Sequence, residues 1–297
     1  MKVGLHLPHV GPNATPENLA AFARRAEALG FDSLWVSDHV VVPRDYGSRY
    51  PYHPSGRMGA GPDTPFLEPL STLLFVAGVT SRIALGTTVL VLPMREPVLH
   101  AKVLATLDVL SGGRLILGVG AGWLREEFEA LSAPFEDRGG RLNEELEILR
   151  RLWTLEDPSF QGRYYRIGNL GFAPKPVQQP HPPIWVGGNT EPGFRRAVRY
   201  GQAWHGAGST PEQVQEAARR LRELCEAAGR DPATLAVTVR TGVPLRPGAE
   251  GEAAERLARY REAGVSHVAL DLSFADMDRA LENIERLARD VRPQVGV

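Results

Sequence analysis

Cysteine is nearly missing: Cys225 is the only one in 297 residues. No disulfide can close within the chain, and no cysteine cluster can hold a metal. A lone cysteine suits a reducing cytoplasm, where we expect the protein to work. Charge of one sign is missing as well. Lys and Arg number 34 against 35 Asp and Glu, for a formal net charge of −1. The cations are scattered, so neither nucleic acid nor a membrane surface is an expected partner. Apolar runs are short. "PLSTLLFVAGVTS" at 69–81 falls well below the ~18–20 apolar residues of a bilayer span. "MKVGLHLPHVGP" meets Pro8 and Gly11 too early for the apolar region of a signal peptide. A soluble protein acting on a small molecule is the expectation.

Familiar catalytic signatures are absent too. There is no His-Glu-x-x-His helix and no Gly-x-Ser-x-Gly elbow. His6 and His9 would face opposite ways if both lay in one strand, so they do not make the His-x-His pair of barrel metallohydrolases. "GVGAGW" (118–123) fails the Gly-x-Gly-x-x-Gly pattern, because Trp123 follows Gly122.

What is present is a rhythm. With 43% hydrophobic and 23% charged residues, a large core can form and disorder is not expected. Apolar runs at 3–8, 33–38, 83–92, 112–120, 183–188, 202–206, 235–240 and 266–272 read as strands. Amphipathic stretches between them read as helices, among them 16–29, 69–80, 139–154, 191–200, 211–228, 251–263 and 276–289. Thr15 with Pro16, and Thr210 with Gln213, are helix-start signals. Residues 121–138 look irregular, 40–68 a long loop, and 156–182 an insertion. Eight strand–helix units with strands buried on both faces predict a (β/α)8 TIM barrel in one domain, residues 1–297. An open doubly wound sheet is the alternative.

In such barrels the active site lies at the C-terminal ends of the strands. There the sequence gathers polar groups and glycines: His6 and His9, Asp38–His39, "TTVLVLP", "GVGAGW", "VGGNT" and "WHGAG". Asp38–His39 reads as a catalytic pair or as a capping Asp beside a satisfied core His. Gly120 and Gly122 serve either close packing or a ligand. Gly187, Gly188 and Asn189 form a plain turn or, at a helix start, a phosphate cradle. Trp123 is packing or the wall of an apolar substrate pocket, with His6 as a second pocket residue.

The ordered set "GFDSLWVSDH", "RIALGTTVLVLP", "LDVLSGGRLILGVGAGWLREEFEALS" and "PPIWVGGNT" resembles the luciferase-like flavin and deazaflavin oxidoreductases, and "GVGAGWLREEFEAL" is most similar to their coenzyme F420 branch. The resemblance covers nearly the whole chain. It implies a bacterial luciferase-like barrel with insertions, usually homodimeric, that binds F420 or, alternatively, FMN over the strand ends. It also implies that Asp38 contacts the ring and that His39 faces the substrate and transfers a proton. Further, it implies a cis peptide at Thr88–Val89 that props the ring, with Thr87 beside it. Some F420 dehydrogenases carry a catalytic Glu where this chain has Trp123. Glu126 and Glu127 follow on a different part of the turn, so a His–Glu mechanism is not expected. The leading expectation is an F420-dependent oxidoreductase moving hydride to or from a small organic substrate. The alternatives are an FMN-dependent monooxygenase fed by a separate reductase, a metal barrel using His6, Asp38, His39 and His205, and a non-catalytic cofactor binder. Loops 40–68 and 156–182 are expected to build the substrate pocket.

Overall fold

The computed structural model describes residues 1–296. Its elements in chain order are β1 (Lys2–His6), α1 (Pro16–Ala28), β2 (Ser33–Val36), α2 (Pro69–Val79), β3 (Ala84–Thr87), β4 (Leu90–Val91), α3 (Pro97–Ser111), β5 (Leu115–Gly120), α4 (Arg125–Ala130), α5 (Arg138–Thr154), β6 (Phe160–Gln161), β7 (Arg166–Ile167), β8 (Ile184–Gly187), α6 (Glu191–Tyr200), β9 (Ala203–Ala207), α7 (Pro211–Ala227), β10 (Ala236–Thr241), α8 (Glu250–Glu262), β11 (His267–Leu270), α9 (Met277–Arg286) and α10 (Arg292–Val295). Thr15 caps α1 through Asn18 N, and Thr210 with Gln213 closes a capping box on α7.

All barrel pairings are parallel. β1 lies between β2 and β11, and the order runs on through β10, β9, β8 and β5 to β3 and β4, closing the ring. β3 and β4 are two halves of one stave, so the barrel has eight staves. The open-sheet alternative is thereby set aside. Register explains the break. Gly86 pairs with Ile116 and Leu90 with Val119, four steps on one stave against three on its neighbour. One extra residue is accommodated as a bulge. The Thr88–Val89 peptide within it is cis, as the resemblance implies.

The staves alternate in a way that fixes the interior. Leu5, Leu34, Leu85, Leu117, Val186, Val239 and Val268 join the apolar layer under the helices. The opposite positions fill the barrel itself. Trp35 and Trp185 meet at 4.9 Å, and Trp35 stacks on His205 at 5.5 Å. Gly4 and Gly86 are glycine because a Cβ at either would collide with the Trp35 ring. The polar atoms around Trp35 are paired, as burial demands. Trp35 Nε1 donates to Ser33 Oγ (2.6 Å), and that hydroxyl is hydrogen-bonded to His267 Nε2 (2.7 Å). Thr238 Oγ1 donates to the Trp204 carbonyl, so it accepts from His205 Nδ1 (2.8 Å). His205 Nε2 then accepts from Thr88 Oγ1 (2.8 Å). Burial lowers the pKa of His205 to about 3, so its ring is neutral in this arrangement.

Two expectations need correction. Residues 121–138 are not all irregular: α4 forms over Arg125–Ala130, with Leu124 and Phe128 buried. The segment 156–182 does not line the strand ends. It connects α5 to β8 and so lies at the other end of the barrel. Gln178 donates to Asp108 and to the carbonyl of Leu115, the first residue of β5. Glu144 accepts from the amides of Arg163, Tyr164 and Tyr165. Its short β6–β7 hairpin packs outside the ring.

Candidate active site

Loop 40–68 does roof the strand ends. Tyr46 and Tyr50 meet Trp123 at 5.9 and 5.2 Å, and Trp123 meets His39 at 5.9 Å. Phe66, at the end of the loop, packs edge-on to both His9 and His39. The outcome is an aromatic wall over a floor of imidazoles.

Asp38 and His39 follow β2 and diverge. The Asp38 carboxylate accepts from Val91 N (2.8 Å) and from both terminal nitrogens of Arg95 (2.6 and 2.7 Å). Its side chain has no exposure. Both oxygens are committed to β4 and Arg95, so in this arrangement Asp38 braces the bulged stave and presents no free oxygen to a ring. His39 points elsewhere. Its Nδ1 lies 2.7 Å from Glu127 Oε2, and the other oxygen of Glu127 accepts from Val40 N (2.6 Å) and Val41 N (3.2 Å). With Nδ1 held by a carboxylate, Nε2 is left toward the mouth, with no protein partner among the described residues. One imidazole nitrogen fixed by an acid and the other free is the arrangement of an oriented proton carrier.

Glu127 is the residue missed by sequence reasoning. It does pair with His39, contrary to expectation, because residues 125–130 are helical. Neighbours on a helix point about 100° apart. Glu126 therefore turns to the amides of Gly47 and Ser48 while Glu127 turns inward. A signal existed: Leu124, Glu127 and Phe128 share one helical face, and a carboxylate on a buried face needs a partner.

The glycines divide in an informative way. Val89 projects into a notch between staves. A Cβ at Gly120 would lie 2.5 Å from its Cγ2, and one at Gly187 would lie 2.9 Å from its Cγ1. A Cβ at Gly122 would press on Phe128 and Val91 at 2.6 and 2.7 Å. Packing requires glycine at 120 and 187, and at 122 both packing and a φ of +84° do. Gly188 is different: its φ is +116°, yet nothing approaches its Cβ position closer than 3.7 Å. It leads to Thr190, the N-cap of α6, whose side chain makes no cap bond. The Asn189 side chain donates to the Ala207 carbonyl (2.8 Å) and Ser209 Oγ (3.1 Å), tying the β8 and β9 loops together. The Thr87 hydroxyl is spent on the Gly118 carbonyl (2.7 Å) and that of Thr88 on His205.

His6 and His9 do not face opposite ways. The strand ends at His6 and the chain turns, bringing the rings to 5.1 Å. His9 donates from Nδ1 to the Leu7 carbonyl and accepts at Nε2 from Ser37 N (3.0 Å), while burial pushes its pKa down to about 4. His6 is buried, yet neither of its nitrogens has a protein partner among the described residues, and Nε2 is fully enclosed. The four residues of the metal-barrel alternative do not converge. Asp38 turns to Arg95 and His205 to two threonines, and no group of three or more His, Cys, Asp or Glu among the described residues is placed to hold a metal.

A closed barrel with an aromatic-roofed, histidine-floored mouth defines a (β/α)8 enzyme scaffold. The family model for luciferase-like monooxygenases matches residues 1–292. The chain belongs to that family. It is 36% identical over 277 residues to an uncharacterized protein of Mycobacterium tuberculosis H37Rv, covering 91% of this chain and 92% of that one. Over 167 residues it is 34% identical to the F420-dependent glucose-6-phosphate dehydrogenase of Amycolatopsis mediterranei, covering 55% of this chain and 45% of the relative. Over 137 residues it is 34% identical to the FMNH2-dependent dimethylsulfone monooxygenase of Pseudomonas putida, covering 45% and 38%. In fold it matches the monooxygenase RslO1 of Streptomyces bottropensis with a TM-score of 0.78, at 24% identity and 99% coverage of both chains. An F420-dependent secondary alcohol dehydrogenase also matches at 0.78, at 19% identity, with 99% of this chain and 98% of that one covered. No described helix is long and apolar enough to cross a membrane.

Proposed function

We propose that this family member is an F420-dependent oxidoreductase that moves hydride between the deazaflavin and a small organic substrate, and that it works in the cytoplasm. The observation that carries the reading is the His39–Glu127 pair with Nε2 free toward the mouth. Hydride transfer to or from a carbonyl or imine carbon needs a proton donor or acceptor beside it, and His39 Nε2 supplies one. The mouth also fits a ring with polar edges. The β3–β4 bulge forms a ledge, and Gly188 leaves its surroundings open. Bound there, the deazaflavin supplies the hydride, and a flavin such as FMN would supply oxygen chemistry instead. Gly188, Asn189 and the start of α6 would hold the cofactor phosphate. Thr88 and Val89 would lie under the ring, Trp123 would wall the substrate, and Asp38 would act through Arg95 on the bulge. Titration of the apoprotein with F420 and with FMN, in both redox states, tests the reading. Micromolar F420 binding with no oxygen consumption is expected. Preference for reduced FMN, fed by a separate reductase and consuming O2, overturns it in favour of a monooxygenase.

The family resemblance led us to expect a homodimer, and the surface points to a face for it. α2 and α3 carry Phe75, Leu99 and Leu110 with 39, 63 and 66% exposure. Exposed apolar side chains on two helices that pack together are candidates for a contact surface. We propose that a second copy covers it. Light scattering is expected to give twice the chain mass, and Leu99→Glu to shift the equilibrium toward monomer. A concentration-independent monomer mass for the native chain would refute this.

A further inference from the structure

Arg240 ends the inward-facing row of β10, above Ala236 and Thr238. Its Nε donates to Asp271 Oδ1 (2.8 Å), on the neighbouring stave. Its Nη1 donates to the carbonyl of Thr88 (3.0 Å). In the strand order β10 and β3 are four staves apart in a ring of eight, so this guanidinium crosses the mouth from one wall to the other. Two of its five N–H donors are thereby used and three remain. Its charge is felt by His6, His9 and His205 below, each pushed down first by burial, and by Tyr50 and Tyr52 of the loop above. The histidines it faces cannot balance it, since an imidazole is either neutral or cationic. Asp271 is half in solvent, 44% exposed at its side chain, and holds only the Nε edge. Beside this fixed cation stands His6, whose imidazole has no partner.

We propose that Arg240 and His6 form an anion-recognition site in the barrel mouth, and that the substrate is a small organic carboxylate. The inference rests on the reading of this mouth as the substrate chamber and adds the class of molecule it takes. A planar guanidinium held at two points is already oriented, so little entropy is lost when it grips a carboxylate through two parallel bonds. One carboxylate oxygen would also accept from His6, whose tautomer is free to turn a proton toward it. A carboxylate gripped there lies between the wall that carries His39 and the roof of Tyr50, which sets which end of the substrate meets the proton carrier. A neutral analogue would leave the cation and the imidazole desolvated without compensation, the kind of mismatch that discriminates strongly.

The test uses the apoprotein and four probes: benzoate and hexanoate, with benzamide and hexanamide as neutral isosteres. Calorimetry is expected to show each acid binding at least tenfold more tightly than its amide. Benzoate is expected to move the His6 imidazole resonances. Arg240→Met should abolish the preference and Arg240→Lys should keep part of it, with melting temperature and circular dichroism reporting that each variant is folded. Should Arg240→Met fail to fold, Asp271→Asn decides: it removes the competing carboxylate, so benzoate should bind several-fold more tightly. Equal affinity for acid and amide, no binding of either acid, or a preference that survives in folded Arg240→Met overturns the proposal. Cofactor titration on the same samples keeps the two readings apart. Binding of F420 without carboxylate selectivity sinks this inference alone, while carboxylate selectivity without either cofactor sinks the oxidoreductase reading alone.

Discussion

Replacing His39 by alanine is expected to lower kcat by about 10²-fold or more while cofactor affinity stays near the native value, the usual worth of positioned acid–base help. The loss should fall on kcat because Nε2 acts only as the proton moves. The side chain is 10% exposed, packs edge-on with Phe66 and Trp123 and bonds the buried Glu127, so a fall in melting temperature accompanies the loss and turnover is compared per folded molecule. Glu127→Gln separates orientation from charge. Glutamine keeps a carbonyl oxygen for His39 Nδ1 or for the Val40 amide, but the negative charge on the imidazole is gone. We expect a smaller loss of kcat than His39→Ala gives, because the amide still orients the ring. A purely structural Glu127 would lower stability and leave turnover per folded molecule where it was. His39→Ala with native turnover per folded molecule would end the catalytic assignment.

Much of this site was legible in the residues, and the exceptions have physical causes. Strand existence was plain because each stave buries both faces and so reads as an apolar run ended by Gly, Pro or a polar pair. Asp38–His39 drew notice because two polar groups closed such a run. What they touch was not legible, since partners at 57 and 88 residues' remove meet only once the barrel closes. Glu127 escaped because six residues are too few to show helical periodicity. Arg240 escaped because it looks like an ordinary strand terminus in "LAVTVR". Only the inward row of Ala236, Thr238 and Arg240 reveals that its side chain enters the barrel. Gly120, Gly122 and Gly187 looked like a ligand cradle because sequence cannot tell room made for a cofactor from room made for Val89 and Phe128.

The buried imidazoles carry the second large effect, a steep loss of stability in mild acid. Burial lowers the pKa of His9 to about 4 and those of His100, His205 and His267 to about 3, and pushes His6 well down as well. At His9 the bonding adds to burial: a proton on Nε2 would expel the Ser37 amide that donates to it. A lowered folded pKa means that the unfolded chain, titrating near 6.5, takes up protons first as pH falls. The stabilising contribution is therefore complete above about pH 6.5 and drains away toward pH 4 and below. At pH 5 each such histidine has forfeited about 2 kcal/mol, or about 8 kcal/mol for the four with stated values, comparable with the 5–15 kcal/mol that holds a typical domain together. Glu145 works the other way. Burial raises its carboxyl to about 7, so its contribution is complete below the unfolded value near 4.5 and is lost as pH rises through 7. Between pH 7 and 5 it returns about 2–3 kcal/mol and offsets roughly one histidine. The net expectation is a urea midpoint that drops steeply between pH 6.5 and 5, with uptake of about four protons on unfolding, five histidines less Glu145, and acid unfolding before pH 4. His205→Gln, which can still bond Thr88 and Thr238, should reduce the uptake by one. A midpoint that stays level across that range would mean the histidines are protonated in place, and the neutral floor proposed for the barrel mouth would go with it.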